Sequence, residues 1–130
     1  MTTIEIETGF PDKKLHPNGG KAWHHMALAR CTGEARLEGK IEAMDTIRDK
    51  QKELGLPWKR AKITHVFNFG SAVAAKLADG DNLNSWLKAQ RDGFADAGIV
   101  ANDRDFDVGT PIKRRDDSGR DYVRTIITKA

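Results

Sequence analysis

The stretch Ala61-Lys62-Ile63-Thr64-His65-Val66-Phe67-Asn68-Phe69 decides the fold class. Ala61, Ile63, Phe67 and Phe69 fall on one side and Lys62, Thr64 and Asn68 on the other, the period of a strand with one buried face. His65 belongs to the inward side, where a hydrogen-bonded core histidine is expected. Downstream, Gly70 to Ala78 reads as a small-residue connector. A helix follows over Asn84 to Ala97, burying Leu87, Phe94 and Trp86, with Gly98 ending it. Phe106 to Val108 and Ile112 to Arg114 read as one broken strand. Asp116-Asp117-Ser118-Gly119 is a turn signal before the β-rich Tyr122 to Thr128, so a closing hairpin is expected.

Upstream, Thr2 to Glu7 alternates around Ile4 and Ile6 as a short strand. Gly9 to Gly20, with two prolines and Asn18-Gly19-Gly20, is a loop. From Lys21 the pattern turns helical. Leu37, Ile41, Met44, Ile47 and Leu54 form an apolar stripe expected to face the core, and Gly55 and Pro57 stop it. Gly33 leaves open whether Lys21 to Leu54 is one kinked helix or two. The expected architecture is α/β (α+β), a small single domain over residues 1–130 with a mixed sheet in β-α-β-α-β-β order.

The chain has 130 residues, 38% hydrophobic and 32% charged, enough for one core beneath a highly solvated surface. The net charge of +3 is mildly basic and suits a polyanionic partner if some carboxylates are neutralised by metal. Cys31 is the only cysteine, which excludes an internal disulfide and a cysteine-rich zinc site. No secretory signal and no bilayer-length apolar run is evident, so a cytoplasmic protein without membrane contact is expected.

The chemistry concentrates at Asp79-Gly80-Asp81-Asn82, just before the second helix, and at Asp103, just after it. Asp81 alone reads as a helix N-cap. The helix is about 20 Å long, so Asp103 meets the pair only if its loop doubles back. If the three converge, each pair about 4 Å apart repels by roughly 4 kcal/mol at an effective dielectric near 20. A hard divalent cation relieves that repulsion. Adjacent His24 and His25 do not share a helix face and make a poor metal pair. Trp23, Trp58 and Trp86 read as packing or dimer-contact residues.

The run Asp79-Gly80-Asp81-Asn82-Leu83, Leu87-Lys88, Arg91-Asp92-Gly93-Phe94, Asp96-Ala97-Gly98-Ile99 and Asn102-Asp103 resembles the RusA-like Holliday-junction resolvases, in the longer spacing between motif and lysine seen in phage and prophage members. Leu15-His16-Pro17-Asn18-Gly19-Gly20-Lys21 resembles the family's N-terminal loop more weakly. The resemblance implies a Mg²⁺-dependent endodeoxyribonuclease (with Mn²⁺ able to substitute) that cuts four-way junctions or other branched DNA as a homodimer. It assigns Asp79, Asp81 and Asp103 as metal ligands and Lys88 as the cation facing the phosphate. Asn18, Lys21 and Asn82 fall near that site as DNA contacts. Two departures stand out: Asn102 occupies the place of a second Asp, and Gly70 to Ala78 holds one basic residue, Lys76, where relatives have several. Further DNA contacts are expected from Lys59 and Arg60 and from Lys113, Arg114 and Arg115. The alternative is a non-catalytic branched-DNA-binding protein on the same scaffold.

Overall fold

Strand β2 (Ala61–Phe69) runs through the middle of the sheet, with neighbours on both edges. The computed structural model describes residues 2–12, 15, 25–70, 83–115 and 118–130. In chain order the elements are β1 (Thr3–Thr8), α1 (His25–Ile47), the short α2 (Gln51–Leu54), β2, the short α3 (Leu83–Trp86) and α4 (Lys88–Asp96). A 3₁₀ turn (Asp103–Asp105), β3 (Phe106–Val108), β4 (Ile112–Arg115) and β5 (Tyr122–Lys129) complete them.

The sheet is mixed and five-stranded. Strand β5 lies between β1 and β2, antiparallel to both. On the other edge of β2, β3 pairs in parallel with Ala61 to Ile63 and β4 with Val66 to Phe69. The broken strand is therefore observed, but the closing hairpin is not. Both edges of β5 are already taken by β1 and β2, and β4 lies across β2 from it. A parallel return from β2 to β3 needs a crossover, which α3 and α4 provide.

The register splits the buried face into rows. Ile4, Ile127 and Ile63 form one apolar row; Val123 and Phe67, with the polar Thr8 beside them, form another row. Between them lie Ile6, Thr125 and His65, of which Thr125 and His65 are fully buried polar groups. His65 Nδ1 is 2.8 Å from Thr125 Oγ1, so the core histidine is hydrogen-bonded as expected. Gln90 of α4 continues this polar seam, accepting from Thr8 Oγ1 at 3.2 Å and donating to the Gly9 carbonyl at 3.3 Å. Trp58, Trp86, Leu87 and Phe94 pack in the two apolar clusters on either side.

Helix α1 corrects the expected stripe. Its buried residues are Cys31, Ala35, Gly39, Ala43 and Ile47, one every four residues. Leu37, Ile41 and Met44 point outward, 56, 50 and 47% exposed. The reason is the tight crossing with α4: a Cβ at Gly39 would fall on the Gln90 carbonyl, and one at Gly93 on the Arg36 carbonyl. Only small side chains fit where two backbones come that close. The helix runs unbroken through Gly33 and ends near Asp49, which has φ +63°. The expected single helix over Asn84 to Ala97 is two pieces, α3 and α4, meeting at Leu87. Among the described residues no helix is long and apolar enough to cross a membrane.

Candidate active site

Helix α4 carries Lys88, Asp92 and Asp96 at four-residue intervals, which places them along one face. Gly98, at φ +97°, turns the chain out of the helix; the Ala97 and Gly98 N–H groups donate to the Gly93 and Ala95 carbonyls. Ile99 and Val100 are buried, and the Trp58 N–H donates to the Ile99 carbonyl at 2.8 Å. That anchor sends the chain back along α4. Asn102 then starts the 3₁₀ turn, its side-chain oxygen accepting from the Arg104 N–H at 3.3 Å. Asn does this as well as Asp, so Asn102 serves here as a cap.

The return brings Asp103 beside the first residue of α4. Lys88 Nζ is 3.4 Å from Asp103 Oδ2 and 3.3 Å from Asp92 Oδ1. Partial burial opposes ionisation of Asp103, but hydrogen bonding with the Asp92 carboxyl and the charge of Lys88 outweigh it and hold Asp103 below the usual carboxylate range. At the other end of the face, Arg36 of α1 grips Asp96 with two parallel bonds of 2.6 and 2.8 Å. This fork raises the guanidinium and lowers the carboxyl from their ordinary values. Arg36, Asp92, Asp96, Asn102 and Asp103 line a depression of about 390 Å³.

Behind this face, Arg91 points inward. Its Nη1 donates to the Asn84 carbonyl at 2.6 Å and to His65 Nε2 at 3.3 Å. Burial lowers Arg91 from its ordinary value, while Asp92 and Asp103 pull the other way. Arg91 and Asp92 stand inside the motif run Arg91-Asp92-Gly93-Phe94, but the motif assigns neither of them a role at the site. The usable signal for Asp92 is its four-residue spacing from Lys88. None marks Arg91 as buried, because arginine at a helical position normally faces water.

Asp79, Asp81, Asn82, Asn18 and Lys21 lie outside the described residues. Among the described residues no three His, Cys, Asp or Glu side chains are grouped to hold a metal ion. Asp103 is a half-exposed carboxylate whose oxygen could serve a hard cation, and the Lys88 ammonium stands between it and Asp92. The basic residues divide between the two ends of β2. Lys59 and Arg60 precede its first residue, whereas Lys113, Arg114 and Arg115 pair with Phe67, Asn68 and Phe69 at its far end; all five are exposed.

The chain matches no known family model and no curated protein.

Proposed function

We propose that the protein is a Mg²⁺-dependent endonuclease acting on branched DNA, four-way junctions foremost, within a RusA-like scaffold. The observation that carries this reading is the return of Asp103 to Lys88. In sequence, Asp79 and Asp81 stand just ahead of α3, and Lys88 opens α4 directly after it. A loop that doubles back is the condition for Asp103 to join a site with that pair. Asp103, with Asp79 and Asp81, would hold the metal, which when bound supplies polarisation of the phosphoryl oxygens and a more acidic water. Lys88 stabilises negative charge developing on the phosphate. Arg91 and the Asn102 cap keep α4 and Asp103 in place. A homodimer suits the two-fold symmetry of a four-way junction, and the exposed Leu37, Ile41 and Met44 give α1 an apolar strip suited to such pairing.

The test is cleavage of a labelled synthetic four-way junction with Mg²⁺ or Mn²⁺, alongside binding without divalent ion. Asp103→Asn and Asp81→Asn are expected to abolish nicking while junction binding persists. Undiminished cleavage by both variants would falsify the proposal.

A second reading has its own observation: Lys88 already pairs with both Asp103 and Asp92, as in a structural ion cluster held without a metal. It makes the protein a non-catalytic binder of branched DNA. Junction binding without product at any divalent ion tested selects that reading.

A further inference from the structure

The face of the sheet opposite the Ile63, His65 and Phe67 row gathers arginines that the candidate active site does not use. Register decides which ones. Arg114 of β4 stands opposite Asn68 of β2, and Tyr122 of β5 stands on the other side of Asn68. In the next row, Ile112 and Arg124 flank Val66. Directly paired residues share a face and neighbours along a strand alternate. Arg114, Tyr122 and Arg124 therefore look the same way, while Lys113 and Arg115 turn to the other side. The Arg120 guanidinium lies 4.9 Å from the centre of the Tyr122 ring and 3.2 Å from Glu7. Arg114, Arg120 and Arg124 are exposed, with Val66 and Asn68 buried between them.

We propose that this face binds the phosphate backbone of DNA, with Arg114 and Arg124 as the principal contacts. Two strand spacings of about 4.8 Å and one two-residue step put their Cα atoms roughly 12 Å apart. Several phosphates of a duplex fall within such a span, since it carries one charge per about 1.7 Å of axis. Guanidinium forks match phosphate oxygens in pairs. Tyr122 is no platform for a base, because Arg120 already covers its ring. Glu7 bonds Arg120 and also stands opposite Arg124 in register, so its one charge is shared by two guanidiniums and the three arginines keep an excess of positive charge over it to attract the polyanion. The face lies at the end of β2 from which the chain leads on towards Asp79, where the Gly70 N–H donates to Asp121 Oδ1 at 2.7 Å. This inference rests on DNA being the partner proposed above, but not on cleavage.

The experiment is fluorescence anisotropy of a labelled four-way junction with the full chain, titrated from 50 to 200 mM salt without divalent ion. Arg114→Gln combined with Arg124→Gln is expected to weaken binding about tenfold and flatten the log–log salt slope by about two. Arg114→Lys combined with Arg124→Lys keeps the charge and is expected to keep the slope. Arg48→Gln combined with Lys52→Gln, far from this face in the chain, is expected to change neither quantity. If the wild type binds and the Gln pair leaves the slope unchanged, this face is wrong and the DNA reading stands. If the wild type does not bind the junction at all, both fall.

Discussion

Arg91 Nη1 lies 3.3 Å from His65 Nε2, and this contact fixes the state of the imidazole. A guanidinium only donates, so Nε2 accepts and the proton of a neutral His65 sits on Nδ1, directed at Thr125 Oγ1. Burial pushes the His65 pKa down to about 3, and the charge of Arg91 pushes the same way. The same guanidinium group holds the Asn84 carbonyl, just after the Asp79 to Asn82 run. One polar thread thus joins the middle strand, α4 and the start of the candidate site.

Acid sensitivity follows from that thread. The folded pKa of His65 lies below its ordinary value near 6.5, so the unfolded chain binds the extra proton between the two. Stability from this group is complete above pH 6.5 and falls as the pH drops towards 3. The slope is about 1.4 kcal/mol per pH unit, so urea midpoints are expected to record a loss of about 2 kcal/mol between pH 6.5 and 5. His65→Gln keeps a donor and an acceptor and is expected to lose that slope. An equal slope in the variant would assign the effect to other groups.

Replacing Arg91 tests the other end of the contact. Arg91→Met leaves His65 Nε2 and the Asn84 carbonyl without this donor, at a cost of about 1–3 kcal/mol. It also removes the like charge facing His65, so an imidazole titration followed by NMR is expected to move upward while staying below the ordinary value.

Two glycines near α1 are expected to respond in opposite directions to the same change. Ala is favoured over Gly inside a helix by up to about 1 kcal/mol. A Cβ at Gly33 meets nothing within 4 Å, so Gly33→Ala is expected to raise Tm. At Gly93 the Cβ strikes the Arg36 carbonyl, which is backbone and has no flexible end to yield. Gly93→Ala is therefore expected to lose about 1–3 kcal/mol net. Thermal melts of the two variants decide it.

The crossing of α1 and α4 also explains where the sequence is readable and where it is not. The strand Ala61–Phe69 is legible because its period of two acts locally, and the break between β3 and β4 follows from Gly109-Thr110-Pro111. The inward face of α1 is not legible: Leu37, Ile41 and Met44 carry the larger apolar area, but the fold selects Ala35, Gly39 and Ala43 because they admit a second backbone. Which strand β5 joins is a long-range matter that no local pattern encodes. At the site, Asp103 is legible as a carboxylate after a helix. Its return to Lys88 depends on Ile99 and Val100 being anchored by Trp58, which spacing does not reveal.

The outward residues of α1 carry an expectation of their own. Ile41 is half-exposed between Leu37 and Met44, and an apolar strip of this kind favours self-association. Sedimentation analysis is expected to show a concentration-dependent two-chain species that Ile41→Lys weakens at unchanged Tm. A wild type that stays a single chain at every concentration rejects pairing through α1.

Lys88 separates catalysis from structure most directly. Its side chain is 62% exposed, and exposed ion pairs add little to stability, so Lys88→Met is expected to melt close to the wild type. In the nuclease reading the same substitution removes a positive charge that counts most in the transition state, where loss of one such group costs roughly 10²–10³ in rate. Single-turnover cleavage of a labelled junction is expected to fall by that order, with binding changed only a few-fold. A rate loss matched by an equal loss of binding would make Lys88 an ordinary phosphate contact. A variant that melts much lower, with cleavage unaffected once folded, would leave Lys88 only its role of pairing with Asp92 and Asp103.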